Sequence, residues 1–381
     1  MLIRLTPAAE LFLSKVPLDY TSAGVDYHRI DALKIRAQQA ARSTARHLVA
    51  RGAREIEASR GESAYVVDAG GLLLASILEC LGTKALVADA VRAFSGRTHY
   101  DSIAQDTIAM AVNDLVTVGA TPLCVHAYWA AGSSDWFSDA ERMEDLVRGW
   151  QAACDVCAVS WGGGETPALT GVVAPDSIDL AASCVGIVQP RERLTLGERL
   201  AIGDVIVLLA ASGIHANGVT LSRKLAQSLP AGYATRIDDG RSFGEALLDP
   251  TVLYPPVMQA LWGAGVLPHY CANITGHGWR KLMRHPGAFT YRMHTVPPVP
   301  AVLRFLQREG ALADSEAYGS LNMGAGFALF LAPQQVDAAL AAARCAGIDA
   351  WAAGVVEAGP RRVIIDPLGL EYGAHELALR A

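Results

Sequence analysis

The sequence predicts an α/β protein in which two domains each contain a mixed sheet with helices. The chain has 381 residues, and at about 100–200 residues per domain this length corresponds to two or three compact units. Short apolar runs alternate with longer segments of helical periodicity, which indicates strands interleaved with helices. A turn-rich segment near residues 190–200 separates two such series, and we place the domain boundary there, giving domains 1–195 and 196–381.

The first half contains a continuous series of predicted helices and strands. The Gly70-Gly71 pair predicts a turn between two strands. Apolar residues at helical spacing in 101–119, with acids near both ends, predict an amphipathic helix. A later helix is expected to end at the triple glycine 162–164. In chain order, the predicted elements are a helix at 31–51, strands within 63–78, a helix at 101–119, a strand at 123–131, a helix at 140–159 and a strand at 178–188.

The second half begins with an uninterrupted apolar run at 205–210, which is typical of a buried strand. Helices and strands alternate again after this run, so the second domain is expected to be mixed as well. The remaining predicted elements are helices at 219–227, 251–262 and 333–345 and strands at 327–331, 350–357 and 362–365.

The composition excludes several classes of protein. The formal net charge is -6, which disfavours nucleic acid as a partner because such binding needs a basic face. The longest uncharged stretches, 250–279 and 317–336, are broken by Gly and Pro, so no membrane-spanning helix is expected. An acid at Glu10 precedes any long apolar run, which argues against a secretory signal and for a cytoplasmic protein.

The seven cysteines are predicted to be reduced thiols, because their number is odd and their spacing irregular. Cys154 and Cys157 form a C-x-x-C pattern, but no second pair follows at zinc-ribbon spacing, so metal or redox use is the less favoured alternative. The sequence also lacks a Walker A loop, G-x-G-x-x-G, H-E-x-x-H and G-x-S-x-G. Any nucleotide phosphates must therefore be bound in another way.

The first candidate site is the segment 79–84, where Glu79 is followed by Gly82, Thr83 and Lys84. A carboxylate can bind Mg²⁺, a glycine lets backbone N–H groups approach an anion, and a lysine supplies positive charge. Together these groups suit a metal-bound polyphosphate. Without further evidence, a solvated turn with a surface lysine is the favoured alternative.

The second candidate site lies on the predicted helix 101–119. Asp106 and Asp114 are eight residues apart, just over two helical turns, and therefore project to a similar side, with Asn113 beside them. Burying two carboxylates in an apolar helix is costly without a cation or a donor. The alternative, a solvated helix face, is favoured from the pattern alone.

Two further candidate sites are loops rich in glycine and polar residues. Gly163 and Gly164 belong to a glycine run longer than a helix cap needs, so the backbone there could approach a ligand, with Glu165 and Thr166 as polar contacts. Ser212, His215 and Asn217 follow the strand at 205–210, and Thr275 and Gly276 lie in a similar segment with His277. For a lone loop histidine, a structural role is the favoured alternative.

Ten short motifs, in this order, resemble those of the aminoimidazole ribonucleotide synthetase family, the phosphoribosylformylglycinamidine cyclo-ligases. They extend over nearly the whole chain, and their order makes the resemblance specific to this superfamily. The motifs are YTSAGVD at 20–26, GTK at 82–84, DTIAMAVNDL at 106–115, GGET at 163–166, GDV at 203–205, SGIHANG at 212–218, LSRK at 221–224, LDPTVLY at 248–254, ITG at 274–276 and NMG at 322–324.

The resemblance implies a two-domain ATP-binding synthetase that forms a homodimer and uses ATP and Mg²⁺ on a small phosphoribosyl substrate. ATP would activate the formyl amide oxygen of formylglycinamidine ribonucleotide, and ring closure would give aminoimidazole ribonucleotide, ADP and phosphate. The N-terminal domain would bind ATP and form the dimer. The implied roles are catalytic for Asp114, His215 and Glu79, metal binding for Glu79, Asp106 and Asp114, ATP binding for Thr83, Lys84, Asp106, Asn113, Gly163, Gly164, Glu165 and Thr166, and substrate binding for Ser212, Asn217, Thr275 and Gly276.

Three departures from the family pattern indicate a divergent member. The family has Asp where this chain has Glu79, it has a glycine-rich loop where residues 53–61 read AREIEASRG, and it has Gly where this chain has His277. These changes keep two alternatives open. One is an ATP-dependent phosphotransferase of the same superfamily with another small-molecule acceptor, and the other is a non-catalytic nucleotide-binding paralogue.

Overall fold

The computed structural model describes residues 27–377, and it confirms a mixed α/β architecture with two sheets that carry helices. The motif at 20–26 lies outside the described residues. The first sheet consists of β1 (Ala53–Glu55), β2 (Tyr65–Ala69), β3 (Leu72–Cys80), β4 (Thr121–Ala131), β5 (Ser160–Glu165) and β6 (Ile178–Val188). Its order is β1-β2-β3-β6-β4-β5, and only β4 and β5 pair in parallel.

The second sheet is built from the residues that follow the turn-rich segment. Its strands are β7 (Val205–Ala210), β8 (Tyr270–Asn273), β9 (Phe289–Met293), β10 (Ala325–Leu331), β11 (Ala350–Ala358), β12 (Arg362–Ile365) and β13 (Leu370–Gly373). Their order is β13-β12-β9-β11-β7-β10-β8, and β9 pairs with β12 in parallel. The apolar run at 205–210 is therefore a central strand, which explains why nothing polar interrupts it.

Helices follow the strands in both halves. The first half contains α1 (Tyr27–Thr44), α2 (Arg46–Val49), α3 (Lys84–Ser95), α4 (Tyr100–Thr117) and α5 (Ala140–Cys157). The second half contains α6 (Val219–Ser228), α7 (Phe243–Leu247), α8 (Pro255–Gly263), α9 (Ala301–Glu309), α10 (Asp314–Ser320) and α11 (Val336–Cys345). The helix expected at 31–51 is thus two consecutive helices.

Glycine serves different purposes at two places in the first sheet. Gly70 and Gly71 both have positive φ and join β2 to β3, as predicted. The triple glycine does not end a helix, because α5 stops at Cys157 and the glycines lie within β5. A side chain on Gly164 would collide with the backbone of Ala127 in β4, so this glycine allows two strands to pack closely.

Helix α4 is almost entirely buried, and the expectation of an amphipathic helix with a solvated face is wrong. The helix packs against the first sheet and α5 and also contacts β8 and α8 of the second half. Asp106 and Asn113 are buried together with its apolar residues. Their polar atoms must therefore be satisfied by protein groups.

The polar residues of α4 bind the segment 249–254 of the second half. Nζ of Lys84 lies 2.7 Å from Oδ2 of Asp106, and neither side chain is accessible to water. Oδ1 of Asp106 accepts hydrogen bonds from the backbone and side chain of Thr251. The side-chain amide of Asn113 bonds to the backbone of residues 252 and 254. These contacts keep 250–254 out of the helix predicted at 251–262, and α8 begins only at Pro255.

The cysteines at all seven positions are free thiols, and in Cys154 and Cys157 burial raises the pKa, so this pair is poorly suited to redox chemistry. Within residues 27–377, none of the helices is both long and apolar enough to cross a membrane.

Replacing Lys84 with methionine is expected to destabilise the protein by about 3–5 kcal/mol, because it leaves the buried Asp106 carboxylate without its cation. The guanidinium unfolding midpoint measures this loss. Arg308→Met, which breaks an exposed ion pair with Asp238, is the matched control and should cost less than about 1 kcal/mol. Equal shifts for the two variants would contradict the role of the buried pair.

Candidate active site

A cavity of 290 Å³ lies where α1, the end of β3, α4 and the loops of the second half meet. Five of the predicted site residues line it, namely Glu79, Asp114, Asn217, Thr275 and Gly276. They come from separate segments of the chain and from both halves. The fold therefore brings together groups that the sequence could only suggest one by one.

Two carboxylates form one wall of the cavity. Asp114, from α4, accepts a hydrogen bond of 2.7 Å from the side-chain amide of Asn273 in β8. Glu79 lies near the end of β3, and burial together with the neighbouring charge of Asp114 raises the pKa of Glu79 to about 7. An added cation would relieve this repulsion, so the pair is suited to bind one.

The cavity lining also contains basic side chains. Lys281 lies in a 3₁₀ helix, Gly278–Met283, and it is buried. Burial and the nearby Arg284 lower the pKa of Lys281 to about 8, although the charges of Asp114 and Glu79 oppose this shift. Lys281 therefore remains mainly protonated at neutral pH.

Arg284 connects the second half to the loop that precedes β2. Its guanidinium donates to the side chain of Ser63 and the carbonyl of Gly61, both at 2.9 Å, and its Nε lies 3.3 Å from Glu62. Glu62 also accepts a hydrogen bond from Tyr270. The segment that lacks the family's glycines thus ends in a loop held by an arginine.

Helix α1 covers another side of the cavity. Nε2 of His277 lies 3.3 Å from Oδ2 of Asp31, and Asp31 also pairs with Lys34 at 3.5 Å. Burial lowers the pKa of His277, so the ring is mainly neutral at pH 7. His277 therefore attaches α1 to the second half rather than adding a charge.

The donor set fits magnesium bound together with phosphates. Within the described residues there is no group of three or more His, Cys, Asp or Glu side chains able to hold a metal by themselves. Mg²⁺ usually binds through one or two carboxylates plus substrate phosphates and water. Glu79 and Asp114 provide that number of carboxylates in one cavity.

Several predicted site residues lie elsewhere. Lys84 and Asp106 form the buried ion pair, Asn113 binds the backbone near residue 252, and Thr83 is 3.3 Å from Thr220. The ring of His215 is buried, and burial lowers its pKa to about 3. None of these residues lines the cavity, and the roles implied for them by the resemblance remain predictions.

The remaining predicted site residues, Ser212 and those of the GGET motif, also lie outside the cavity. Ser212 donates to the carbonyl of Pro250, and its backbone N–H donates to Nε2 of His215, so this loop is held by its own contacts. The residues of the GGET motif are exposed on the edge strand β5 and just after it. Gly163, Gly164, Glu165 and Thr166 do not line the cavity.

The sequence did not identify four charged residues that line the cavity, namely Lys34, Glu62, Lys281 and Arg284. One signal was available for two of them. Three basic residues, His277, Lys281 and Arg284, are spaced by four and three positions. They lie around the end of the long uncharged stretch 250–279. A basic series of this kind predicts one face of a helical turn.

Two protein-family descriptions match the chain. The N-terminal domain of AIR synthase related proteins matches residues 61–188, and the C-terminal domain of the same proteins matches residues 201–366. The phosphoribosylformylglycinamidine cyclo-ligases of Anaeromyxobacter sp. (strain Fw109-5) and Anaeromyxobacter dehalogenans (strain 2CP-C) are each 35% identical over 359 residues. Each match covers 90% of this chain and 96% of the relative.

Solved structures share the fold at lower identity. A chain of the HypE–HypF complex has a TM-score of 0.57 at 15% identity, covering 82% of this chain and 92% of its own. AaThiL complexed with AMPPCP and TMP has a TM-score of 0.56 at 16% identity, with 82% and 90% covered. The protein tt0281 from Thermus thermophilus has a TM-score of 0.53 at 20% identity, with 81% and 90% covered.

Glu79→Gln is expected to stabilise the metal-free protein, relative to wild type, more at about pH 8 than at about pH 5. The folded protein keeps the Glu79 proton up to about pH 7, whereas the unfolded chain releases it near its ordinary value of 4.5. The contribution of Glu79 to wild-type stability therefore falls as pH rises between these values, and glutamine has no proton to lose. We expect a difference of about 1–3 kcal/mol in urea unfolding at the two pH values.

The exposed Glu198→Gln is the matched control, and its effect on stability should be the same at both pH values. A pH-independent effect of Glu79→Gln would show that the Glu79 carboxyl does not retain its proton in the folded protein.

Proposed function

The chain belongs to the AIR synthase related family, and on that premise we propose that it is a phosphoribosylformylglycinamidine cyclo-ligase of purine biosynthesis. In this reaction ATP drives closure of formylglycinamidine ribonucleotide to aminoimidazole ribonucleotide, with release of ADP and phosphate. The observation that carries the proposal is 35% identity to cyclo-ligases over 90% of the chain. The cavity supports it, because a pair of carboxylates and several basic side chains line it together.

The reaction requires the formyl amide oxygen, a poor leaving group, to be converted into a good leaving group. The phosphoryl group is transferred to the formyl amide oxygen, the amidine nitrogen attacks the same carbon, and phosphate leaves. Magnesium bound with the nucleotide would neutralise phosphate charge, and we assign its protein ligands to Glu79 and Asp114. The remaining task of the protein is to place the reacting groups and exclude water.

The assigned residues divide into two groups. In the cavity, Asp114 is oriented by Asn273, while Asn217, Thr275 and Gly276 are proposed to contact substrate. Behind the cavity, Lys84 and Asp106 are proposed to act indirectly, by holding the segment that packs against α4. This division assigns contact with ligand only to the residues that line the cavity.

A groove of about 610 Å³ adjoins the cavity and offers room for a nucleotide. It shares Gln38, the loop 61–63 and Ile77 with the cavity, and continues past Tyr65. The structural neighbour AaThiL was solved with the ATP analogue AMPPCP, which supports ATP as the nucleotide here. The cavity alone is too small for a whole nucleotide and a second substrate.

We further propose that the protein is a cytoplasmic homodimer, as the resemblance implies. One face of the first sheet is covered by helices, and the other exposes apolar side chains. Leu72, Leu78 and Val185 on that face are 44%, 69% and 37% exposed. A second copy of the chain would remove these side chains from water.

The proposed activity predicts that ADP is released only when ATP, Mg²⁺ and formylglycinamidine ribonucleotide are all present, and that an aminoimidazole product appears with it. Asp114→Asn is expected to lower kcat/KM at least about a hundredfold, because it removes a charge at the reacting groups. A coupled ADP assay measures both effects, and the unfolding midpoint of the variant should change little.

Asp337→Asn, on the first turn of α11 and away from the cavity, is the control and should leave turnover unchanged. Binding of ATP without substrate-dependent ADP release would exclude the cyclo-ligase. That outcome would favour a phosphotransferase with another acceptor or a non-catalytic paralogue.

Leu78→Lys is expected to convert the proposed dimer into a monomer, because it places a charge in the apolar face of the first sheet. Sedimentation velocity measures the change. Ile202→Lys changes an apolar residue of similar exposure in the turn before β7, outside the first sheet, and should leave the dimer intact. A monomeric wild-type protein would contradict the proposal.

A further inference from the structure

Three basic side chains from one segment of the second half line the cavity, namely His277, Lys281 and Arg284. They are spaced by four and three residues around the 3₁₀ helix Gly278–Met283. Arg280, in the same helix, points elsewhere and donates to the carbonyl of Gly319. The segment therefore presents one basic face to the cavity, which we call the basic wall.

The outer two members of the basic wall are engaged by protein groups. His277 contacts Asp31 of α1, and Arg284 bonds to Gly61 and Ser63 and pairs with Glu62. Each therefore joins a different part of the first half to the second. Both side chains are therefore held in place by protein contacts.

Lys281, the middle member, is different. Its side chain is only 8% exposed, yet among the described residues its Nζ makes no hydrogen bond and has no carboxylate within 4.0 Å. Glu79 and Asp114 act on it only through longer-range charge. An ammonium group on a mostly buried residue is costly when it lacks partners, so a ligand that supplies the missing acceptors gains that free energy on binding.

The charges around the cavity indicate which kind of ligand this is. Lys34 has Asp31 as a partner and Arg284 has Glu62, so within the described part of the chain Lys281 is the cavity cation left for a bound molecule. In the same cavity, Glu79 and Asp114 favour a cation between themselves and the ligand. A group that binds both a carboxylate-held metal and an ammonium is best suited to be an anion with several oxygens, and a phosphoryl group has this chemistry.

We propose that Lys281 binds a phosphoryl group of the ligand in this cavity, which the Glu79–Asp114 pair also lines. This inference rests on the proposed function for the identity of the two phosphorylated ligands, ATP and formylglycinamidine ribonucleotide. Both carry phosphoryl oxygens, so binding of each must be measured separately. The anchoring of His277 and Arg284 keeps Lys281 in place before the ligand arrives.

Isothermal titration calorimetry with AMP-PNP and Mg²⁺, and separately with formylglycinamidine ribonucleotide, tests the proposal without requiring turnover. Lys281→Met should weaken binding of at least one of them by about tenfold or more, the loss expected for one charge-assisted hydrogen bond. Weakened AMP-PNP binding assigns the contact to the nucleotide, and weakened substrate binding assigns it to the phosphate monoester. Lys281→Arg should retain most of the affinity.

Arg344→Met, which removes an exposed cation from α11, is the matched control and should bind both ligands like wild type. Lys281→Gln gives a second neutral side chain should the methionine variant fail to fold. Wild-type affinity for both ligands in a folded neutral variant would overturn the proposal. Wild-type protein that binds the ligands through Lys281 but does not turn over would instead count against the proposed function alone.

Discussion

The buried ion pair between Lys84 and Asp106 is the interaction on which the geometry of the site depends. Lys84 begins α3, Asp106 lies in α4, and the same carboxylate binds Thr251 of the second half. About two turns further along α4 are Asn113, which binds the same segment, and Asp114, which enters the cavity. A single buried helix therefore both attaches the second half and positions a carboxylate of the site.

The cavity combines opposite charges that burial affects in opposite directions. Burial raises the pKa of Glu79 and lowers the pKa of Lys281, so both groups lie close to losing their charge near neutral pH. Each charge is retained in part because the other is near. A ligand that brings a metal and phosphates would bind to the carboxylates and to Lys281 at once. The metal and the phosphates would supply the opposite charges that these protein groups lack.

Local sequence was sufficient for the elements whose pattern matches their surroundings. The strands at 178–188 and 205–210 and the Gly70-Gly71 turn occur as predicted, because alternation, apolar runs and paired glycines are local signals. The solvated face expected for α4 was wrong, since the partners of its acids come from distant segments. The helix end predicted at the triple glycine was wrong for the same reason, because close packing of β5 on β4 is not visible in the local sequence.

The three departures from the family pattern meet at one place in the structure. Glu79 and His277 both line the cavity, and the segment that lacks the glycine-rich loop ends at Gly61, which lines it as well. By contrast, the Lys84–Asp106 framework matches the family motifs and is fully engaged. All three departures therefore reach the cavity, whereas the buried pair behind it is intact. Altered contacts to a bound ligand would produce this arrangement, with His277 and Arg284 fixing α1 and the loop 61–63 where the family's glycines give the backbone freedom.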